Sequence, residues 1–474
     1  MVHFDVVIAG GGIAGSSTAA ALAQKGLRVL LCEAGLPDER RLAGELMHPP
    51  ALANLERLGL ISPRLRAGSV PSYGFVLSRG ASDPGTVLSY SEVPGGSPFG
   101  LAAEHAFLVR ELLRSSARVP GVELWEGARV VQVAFGHPNT QVRIVRDGAD
   151  EEVRCRLVVS AEGRASKLRE RAGIITERRD TFRMIGWRIP DARLPLPGYG
   201  HIFLGGPGTA LAYGIGTNEA RVMFEIGLGD APLVAADTLS SLPQPLRDQV
   251  REAMGREKGC IAKVVTLAPN HAVSDGFAVV GDAGGCSHPI TASGISSCIN
   301  DAVLLADTLA ASRSEARTHP LDNLARGLAA YQRKRQRGVR TRVVLATALR
   351  DALYDPHPDM LLLRSALFEY WRRSTRGRQA SIGLLTTHRT AMSSLVREYA
   401  QVSFRALQGL RHGVLPVEEI VPALAGIARR NVRYLAAALP LHKAAAPRWR
   451  PRTRHVAGVE TPDPPNVDKR PPPP

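Results

Sequence analysis

The chain contains no run of 18 consecutive apolar residues, so nothing in it reads as a membrane-spanning helix. Its opening residues carry no secretory leader pattern: Met1 is followed by a short apolar run and then by glycines, which reads as a first strand. Cysteine is sparse. Cys32, Cys155, Cys260, Cys286 and Cys298 form no CxxC pair and are odd in number, which argues against zinc sites and disulfide scaffolds and for a reducing cytoplasm. No internal repeat and no second GxGxxG is present. Acidic residues are in the minority: 60 Lys+Arg stand against 44 Asp+Glu in 474 residues, a formal charge of +16 carried almost wholly by arginine. The basic residues are scattered, with no nucleic-acid module around them, so nucleic acid is not an expected partner. The hydrophobic share of 44% and charged share of 22% are those of a globular protein of several domains.

Within that frame the N-terminal residues read as a βαβ unit. Phe4–Ala9 suits a strand buried on both faces, Ser16–Lys25 a helix stopped by Gly26, and Leu27–Cys32 a second buried strand closed by Glu33. Gly10-x-Gly12-x-x-Gly15 lies at the strand-to-helix turn. There Gly10 permits the turn, Gly12 lets the backbone approach a diphosphate, and Gly15 lets helix and strand pack closely. The helix N-terminus offers free N–H groups to phosphates, and Glu33, about 20 residues on, stands where a ribose would be bound. Short alternating runs between 72 and 100 read as hairpins, and residues 181–228 as strands. Gly276–Val280 reads as a last buried strand, followed by a helix from about Gly294 to Ala311. The chain from about 321 to 440 reads as helical and basic, and the Pro/Arg-rich end as a disordered tail.

Two further segments select the dinucleotide. Leu157-Val158-Val159-Ser160-Ala161-Glu162-Gly163 with Ser166 and Arg169, and Gly281-Asp282-Ala283 with Pro289 and Gly294, resemble the "ADG…S..R" and GD motifs of FAD-dependent aromatic hydroxylases and UbiH-type monooxygenases. Glu162 replaces the usual Asp of the first. The resemblance narrows further. Arg41 followed by Leu42-Ala43-Gly44-Glu45-Leu46, Ala161–Arg169, and Gly281–Gly294 with His288-Pro289-Ile290-Thr291 are similar to motifs of the squalene monooxygenase (squalene epoxidase) family, with Ala292 and Ser293 in place of two glycines. The helical segments around 348–354, 363–370 and 383–385 resemble that family's C-terminal end.

The resemblance implies an α/β fold: a Rossmann-like FAD-binding domain of glutathione-reductase type, an inserted β-sheet substrate domain and a C-terminal helical region. The expected boundaries are 1–175 and 275–345 for the two parts of the FAD domain, 176–274 for the substrate sheet, 346–442 for the helices and 443–474 for the tail. It implies FAD contacts at Gly10, Gly12, Ile13, Ala14, Gly15, Glu33, Arg41, Arg110, Val131, Asp282, Pro289, Gly294 and Ile295. Phe75, Trp187, Phe203, Tyr213 and Phe224 are expected to line the substrate site, with Phe75 standing where the family has a tyrosine. No catalytic triad and no metal is required, because the flavin, through a C4a-hydroperoxide formed with O2, carries the oxygen transfer. The implied function is a monooxygenase that epoxidises or hydroxylates a lipophilic, polyprenyl or squalene-like substrate. NADPH or NADH would supply electrons directly or through a separate reductase, and the basic helices would give peripheral membrane contact. An aromatic, quinolone or polyketide substrate stays open. A halogenase is disfavoured because no lysine occurs between Lys25 and Lys167, and a prenyl reductase or a non-enzymatic flavoprotein would differ in oxygen use.

Overall fold

The computed structural model describes residues 2–35, 42–135, 139–206, 208–229, 234, 236–313, 318–410 and 416–438, all within a compact unit that ends at Ala438. Arg41 and the 443–474 tail lie outside the described residues.

The apolar runs read as doubly buried strands form one six-stranded sheet. Its order is Val273–Ser274, Phe277–Val279, Leu157–Ser160, Val6–Ala9, Val29–Glu33 and Val122–Glu126, parallel except for the antiparallel edge at Val273–Ser274. Val6–Ala9 and Leu157–Ser160 are buried at every position, as a parallel sheet covered on both faces demands. In chain order this sheet's first strand starts at Val6, after Val2–His3, which pairs with Val153–Arg154 in another sheet; Phe4, which the sequence places within the strand, is fully buried and meets Trp125 edge-to-face. The helix Ile13–Ala23, rich in Ala and Ser, is buried along its whole length against the helix Gly294–Ala310. Small side chains permit that close helix contact on top of the sheet.

A second, seven-stranded sheet stands over this layer. Its order is Cys260–Pro269, Thr176–Pro190, Glu219–Ile226, Ala210–Gly216, Gly200–Phe203, Gly74–Ser78 and Thr86–Ser89. All pairs are antiparallel except Gly200–Phe203 with Gly74–Ser78. One face is packed by the helix Gln244–Arg256 through Leu246, Val250 and Ala253. The other faces the glycine turn before Ile13 and the loops between Asp282 and Gly294. Beyond the helix Leu324–Tyr354, the helices Pro358–Arg373, Thr375–Leu385, Met392–Gly409 and Val417–Ala438 build a helical layer. The last of them is pinned by Arg430, whose guanidinium pairs with Asp351, Asp355 and Asp359.

Candidate active site

The glycine turn has the geometry its spacing demands. Gly10 sits at φ +101°, and a Cβ there would lie 2.6 Å from the Ala161 carbonyl oxygen. A Cβ on Gly15 would lie 1.8 Å from the Gly10 carbonyl, so any side chain there would separate helix from strand. Around Gly12 there is open space within 4 Å. The helix that starts at Ile13 has no side-chain cap and no acid in its first turn, which leaves its N–H groups and positive dipole end for an anion. Glu33 closes the neighbouring strand and accepts from the Gly11 N–H at 2.6 Å and the Gly35 N–H at 2.7 Å. Arg110 lies half-buried on the helix His105–Ser116, which packs against the first helix. Val131 sits at a bulge in the strand Ala128–Ala134, where its carbonyl accepts from Arg171. Neither Arg110 nor Val131 lines the cavity described below.

The other two motifs hold each other. The Glu162 carboxylate accepts from Ser160 and Ser166 hydroxyls at 3.0 and 2.8 Å and from the Leu168 N–H at 3.0 Å, so the longer acid organises its own loop. Arg169, buried, donates to the Ala283 carbonyl at 3.1 Å and thereby ties this loop to the Gly281–Gly284 turn. From the other side Asp301 accepts from the Gly281 N–H at 3.0 Å and from Arg335 at 3.0 Å, while the Tyr331 hydroxyl donates to the Val279 carbonyl at 2.9 Å. Burial opposes the Arg335 charge, yet Asp301 more than offsets it and holds the guanidinium pKa above its ordinary value. Gly281, at φ +59°, leaves no room for a side chain between Ala14 and Cys298. Ala292, one of the two residues standing at the family's glycines, adopts a left-handed φ of +49°. The helix Gly294–Ala310 begins without a side-chain cap, and space is open around Gly294.

These loops and the second sheet enclose a cavity of about 330 Å³. Ile13, Asp282, Pro289, Gly294 and Ile295 line one side; Phe75, Met184, Leu211, Tyr213 and Met223 line the other. Among the expected lining residues, Phe75 and Tyr213 therefore front the cavity. Trp187, Phe203 and Phe224 do not, and the expectation for them is corrected: they pack on the opposite face of the sheet, under Leu246 and Val250. The reason is strand parity. Side chains alternate faces, and Ile185 and Ala210, which share the Phe224 pairing row, belong to the helix-covered core, whereas Tyr213 pairs with Arg221 and Leu211 with Met223 on the cavity face.

Two buried polar groups were not anticipated from the sequence. Glu45 and Arg221, 1% and 2% exposed, form a bidentate pair at 2.7 and 3.2 Å, and the Tyr213 hydroxyl donates to the same carboxylate at 3.0 Å. Burial works against the Arg221 charge, but the Glu45 hydrogen bonds and charge override it and raise its pKa. The fully buried His48 contacts the Tyr90 hydroxyl at 2.8 Å through Nδ1 and the Thr291 carbonyl at 3.1 Å through Nε2. A carbonyl only accepts, so Nε2 carries the proton and Nδ1 accepts from Tyr90. Burial pushes the His48 pKa down to about 4. The available signal was a lone charge inside an apolar run: Glu45 before Leu46-Met47, and Arg221 between Ala220 and Val222. Among the described residues no cluster of His, Cys, Asp or Glu is suited to hold a metal.

The uncapped helix at the glycine turn, the open space at Gly12 and Gly294, and an acid at the end of the second strand fit FAD. Among solved structures, P. aeruginosa PqsL in complex with 2-aminobenzoylacetate aligns with a TM-score of 0.60 at 28% identity, over 74% of this chain and 97% of PqsL. A cradle of this kind over a sheet-walled cavity defines the chain as an FAD-dependent monooxygenase. The FAD dependent oxidoreductase family model matches residues 5–79. Within that class the chain belongs to the squalene epoxidase family, whose model matches residues 154–415. It is 29% identical over 322 residues to squalene epoxidase erg1 of Aspergillus fumigatus, covering 65% of this chain and 66% of that protein's length. With squalene epoxidase ERG1 of Candida albicans it shares 26% over 440 residues, covering 81% and 87%.

Proposed function

We propose that the chain binds FAD and places one oxygen atom from O2 on a lipophilic, polyprenyl-type substrate held in the cavity between the flavin-type loops and the second sheet. One observation carries this reading: Ile13, Arg164 and Asp282, one from each of the three motifs, share a single cavity with the apolar wall of Met184, Leu211 and Met223. The glycine turn and the N-terminus of Ile13–Ala23 would hold the diphosphate, Glu33 the ribose and Asp282 the ribityl chain. When bound and reduced, FAD supplies the activation of O2. The protein's own part is to orient and to exclude water. Arg169 and Asp301 fix the third loop from two sides. Leu42, Met184 and Met223 form a dry wall that holds a hydrocarbon chain by apolar burial. Electrons would come from NADPH or NADH, directly or through a reductase.

Apolar residues left exposed on the C-terminal helices, among them Val396, Phe404, Leu407 and Leu435, border an apolar groove of about 340 Å³ and support peripheral contact with a lipid surface. No helix of the described residues is long and apolar enough to cross a membrane. The likeness to PqsL favours a second reading, an aromatic keto-acid type of substrate. Purified, FAD-loaded protein incubated with NADPH, with or without a reductase, and ¹⁸O2 tests both. A polyprenyl product carrying ¹⁸O supports the first reading and a labelled aromatic product the second; oxygen uptake that no substrate alters refutes both.

A further inference from the structure

One cation on the cavity wall has no close anion. Arg342 lies on the helix Leu324–Tyr354, two turns beyond Arg335, and lines the cavity with Asp282, Ser297 and Cys298. Its side chain is half-buried, and its nitrogens, unlike the sealed Nε of Arg169, keep surface open to a ligand. Among the described residues it makes no hydrogen bond and no ion pair. Burial holds its pKa below the ordinary arginine value, and the charge of Arg335 acts in the same direction; Asp301 and Asp282 oppose them only in part. A charge set that deep has its open surface on the cavity it lines. Asp301 already serves Arg335 and the Gly281 N–H. A guanidinium stays charged at physiological pH. Holding one away from bulk water without a close counter-ion is costly, and such a group marks a place where something bound supplies the negative charge.

The other arginine and the lysine of this wall are satisfied in other ways. Arg164 donates to the Lys263 carbonyl at 2.9 Å, and Lys263 is exposed to water. The strongest electrostatic neighbours of Arg342 are Asp301, Arg335, Cys298 and Asp282. They belong to the Gly281–Gly284 turn and the two helices behind it, and no charged group of the second sheet is among them. The charge of Arg342 therefore stands at the coenzyme end of the cavity. The uncapped start of Gly294–Ala310 lines the same end and adds the positive end of its dipole. Arg342 also lies outside the segments that resemble squalene monooxygenases, between the Gly281–Gly294 loop and the stretch from 348, so that resemblance does not account for it.

The glycine turn answers the diphosphate, which leaves for Arg342 the negative charge that arrives on reduction. A hydride from NADPH or NADH delivers two electrons and one proton to a neutral oxidised ring; the nicotinamide leaves oxidised, and one negative charge stays on the flavin. We infer that Arg342 is a redox-tuning residue, the field of its guanidinium stabilising the negative charge of reduced FAD and so raising the reduction potential of the coenzyme. In a cavity of low dielectric that field acts over several bond lengths, so direct contact is not required. The inference rests on the flavoenzyme reading above and adds to it the residue that favours hydride uptake.

The test is the two-electron midpoint potential of FAD-loaded protein, titrated against reference dyes. Arg342→Met should weaken the binding of reduced relative to oxidised FAD at least about tenfold, a fall of about 30 mV. Arg342→Lys, which keeps the charge, should retain most of the wild-type potential, and both variants should bind oxidised FAD as wild type does. Equal potentials in wild type and Arg342→Met overturn the inference. An equal fall in Arg342→Lys does the same, because it would mark a packing effect. Equal losses of oxidised and reduced FAD from Arg342→Met would assign the guanidinium to the diphosphate and overturn it as well. Should Arg342→Met fail to fold, wild type alone decides. From about pH 5.5 to 7 its potential should change by about 30 mV per pH unit, the slope of one proton per electron pair, and a slope about twice as steep would mean a neutral reduced ring and overturn the inference. Wild-type protein that takes up no FAD refutes the flavoenzyme reading and the inference with it, whereas loaded protein with an unmoved potential refutes the inference alone.

Discussion

Replacing Glu45 by Gln keeps the shape of the side chain and removes only its charge, which makes it a sharp probe of the pair with Arg221. Both side chains are almost completely shielded from water, so solvent cannot take over the role of the lost carboxylate. Breaking one partner of such a pair costs about 3–5 kcal/mol, because the remaining charge stays buried and uncompensated. Against a total stability of roughly 5–15 kcal/mol that is a large fraction. Replacing both partners by apolar residues of similar length, Glu45→Leu with Arg221→Met, removes the stranded charge as well. The double variant should therefore lie within about 1–2 kcal/mol of wild type, far from the sum of the single losses. The measurement is urea unfolding of the FAD-loaded protein, followed by circular dichroism, for wild type, both single variants and the double variant. The reasoning is refuted if Glu45→Gln costs under about 1 kcal/mol, or if the double variant loses as much as the two single changes together.

Three other outcomes are expected. His48 has a folded-state pKa of about 4 against an ordinary 6.5, so the unfolded chain binds the extra proton first as pH falls. Its contribution is therefore complete above about pH 6.5 and lost progressively towards pH 4, roughly 3 kcal/mol by linkage; His48→Gln should reduce the slope of the urea midpoint over that window without abolishing it, since burial holds His201 and His288 down to about 4 as well, and an unchanged slope would count against it. Gly15→Ala, with its Cβ set 1.8 Å from the Gly10 carbonyl, should abolish FAD binding measured by flavin fluorescence quenching, whereas near-native affinity would mean that the turn is not the diphosphate site. Phe404→Glu with Leu407→Glu should cut co-sedimentation with anionic phospholipid vesicles several-fold without changing FAD content; undiminished binding would remove these helices as the contact.

What could be read in the sequence is what is decided within a few residues. Gly10, Gly15 and Gly281 are legible because each is demanded by a backbone angle or a close approach at its own position. The apolar runs around Val6–Ala9 and Leu157–Ser160 are legible because a doubly covered strand has no polar face to disguise it. Trp187, Phe203 and Phe224 were misplaced because being aromatic says nothing about which face of a sheet a residue joins. That depends on register, and register is set by pairings such as Tyr213 with Arg221 and Phe203 with Ala210. The Glu45–Arg221 pair joins residues 176 apart, and His48 meets Thr291 across 243, distances over which one sequence carries no signal of contact. Glu162 replaces the usual Asp, and its carboxylate, carried one methylene further, accepts from two serines and a helix N–H of its own loop.

The pairing of Thr176 with Pro269 brings the start of the second sheet's main stretch beside its end, so almost a hundred residues leave and rejoin the flavin-type half at one doorstep. Arg169 before that doorstep and Asp301 and Arg335 after it grip the coenzyme loops from outside the excursion, while Leu267 pairs with Cys286 from within it. A short parallel seam, Gly200–Phe203 against Phe75–Ser78, and the buried Glu45–Arg221 pair stitch the excursion to residues 45–78. Rewriting this stretch would therefore remodel one wall of the cavity, and a chimera spliced at that doorstep would keep its fold only where the incoming panel still offers an arginine to Glu45.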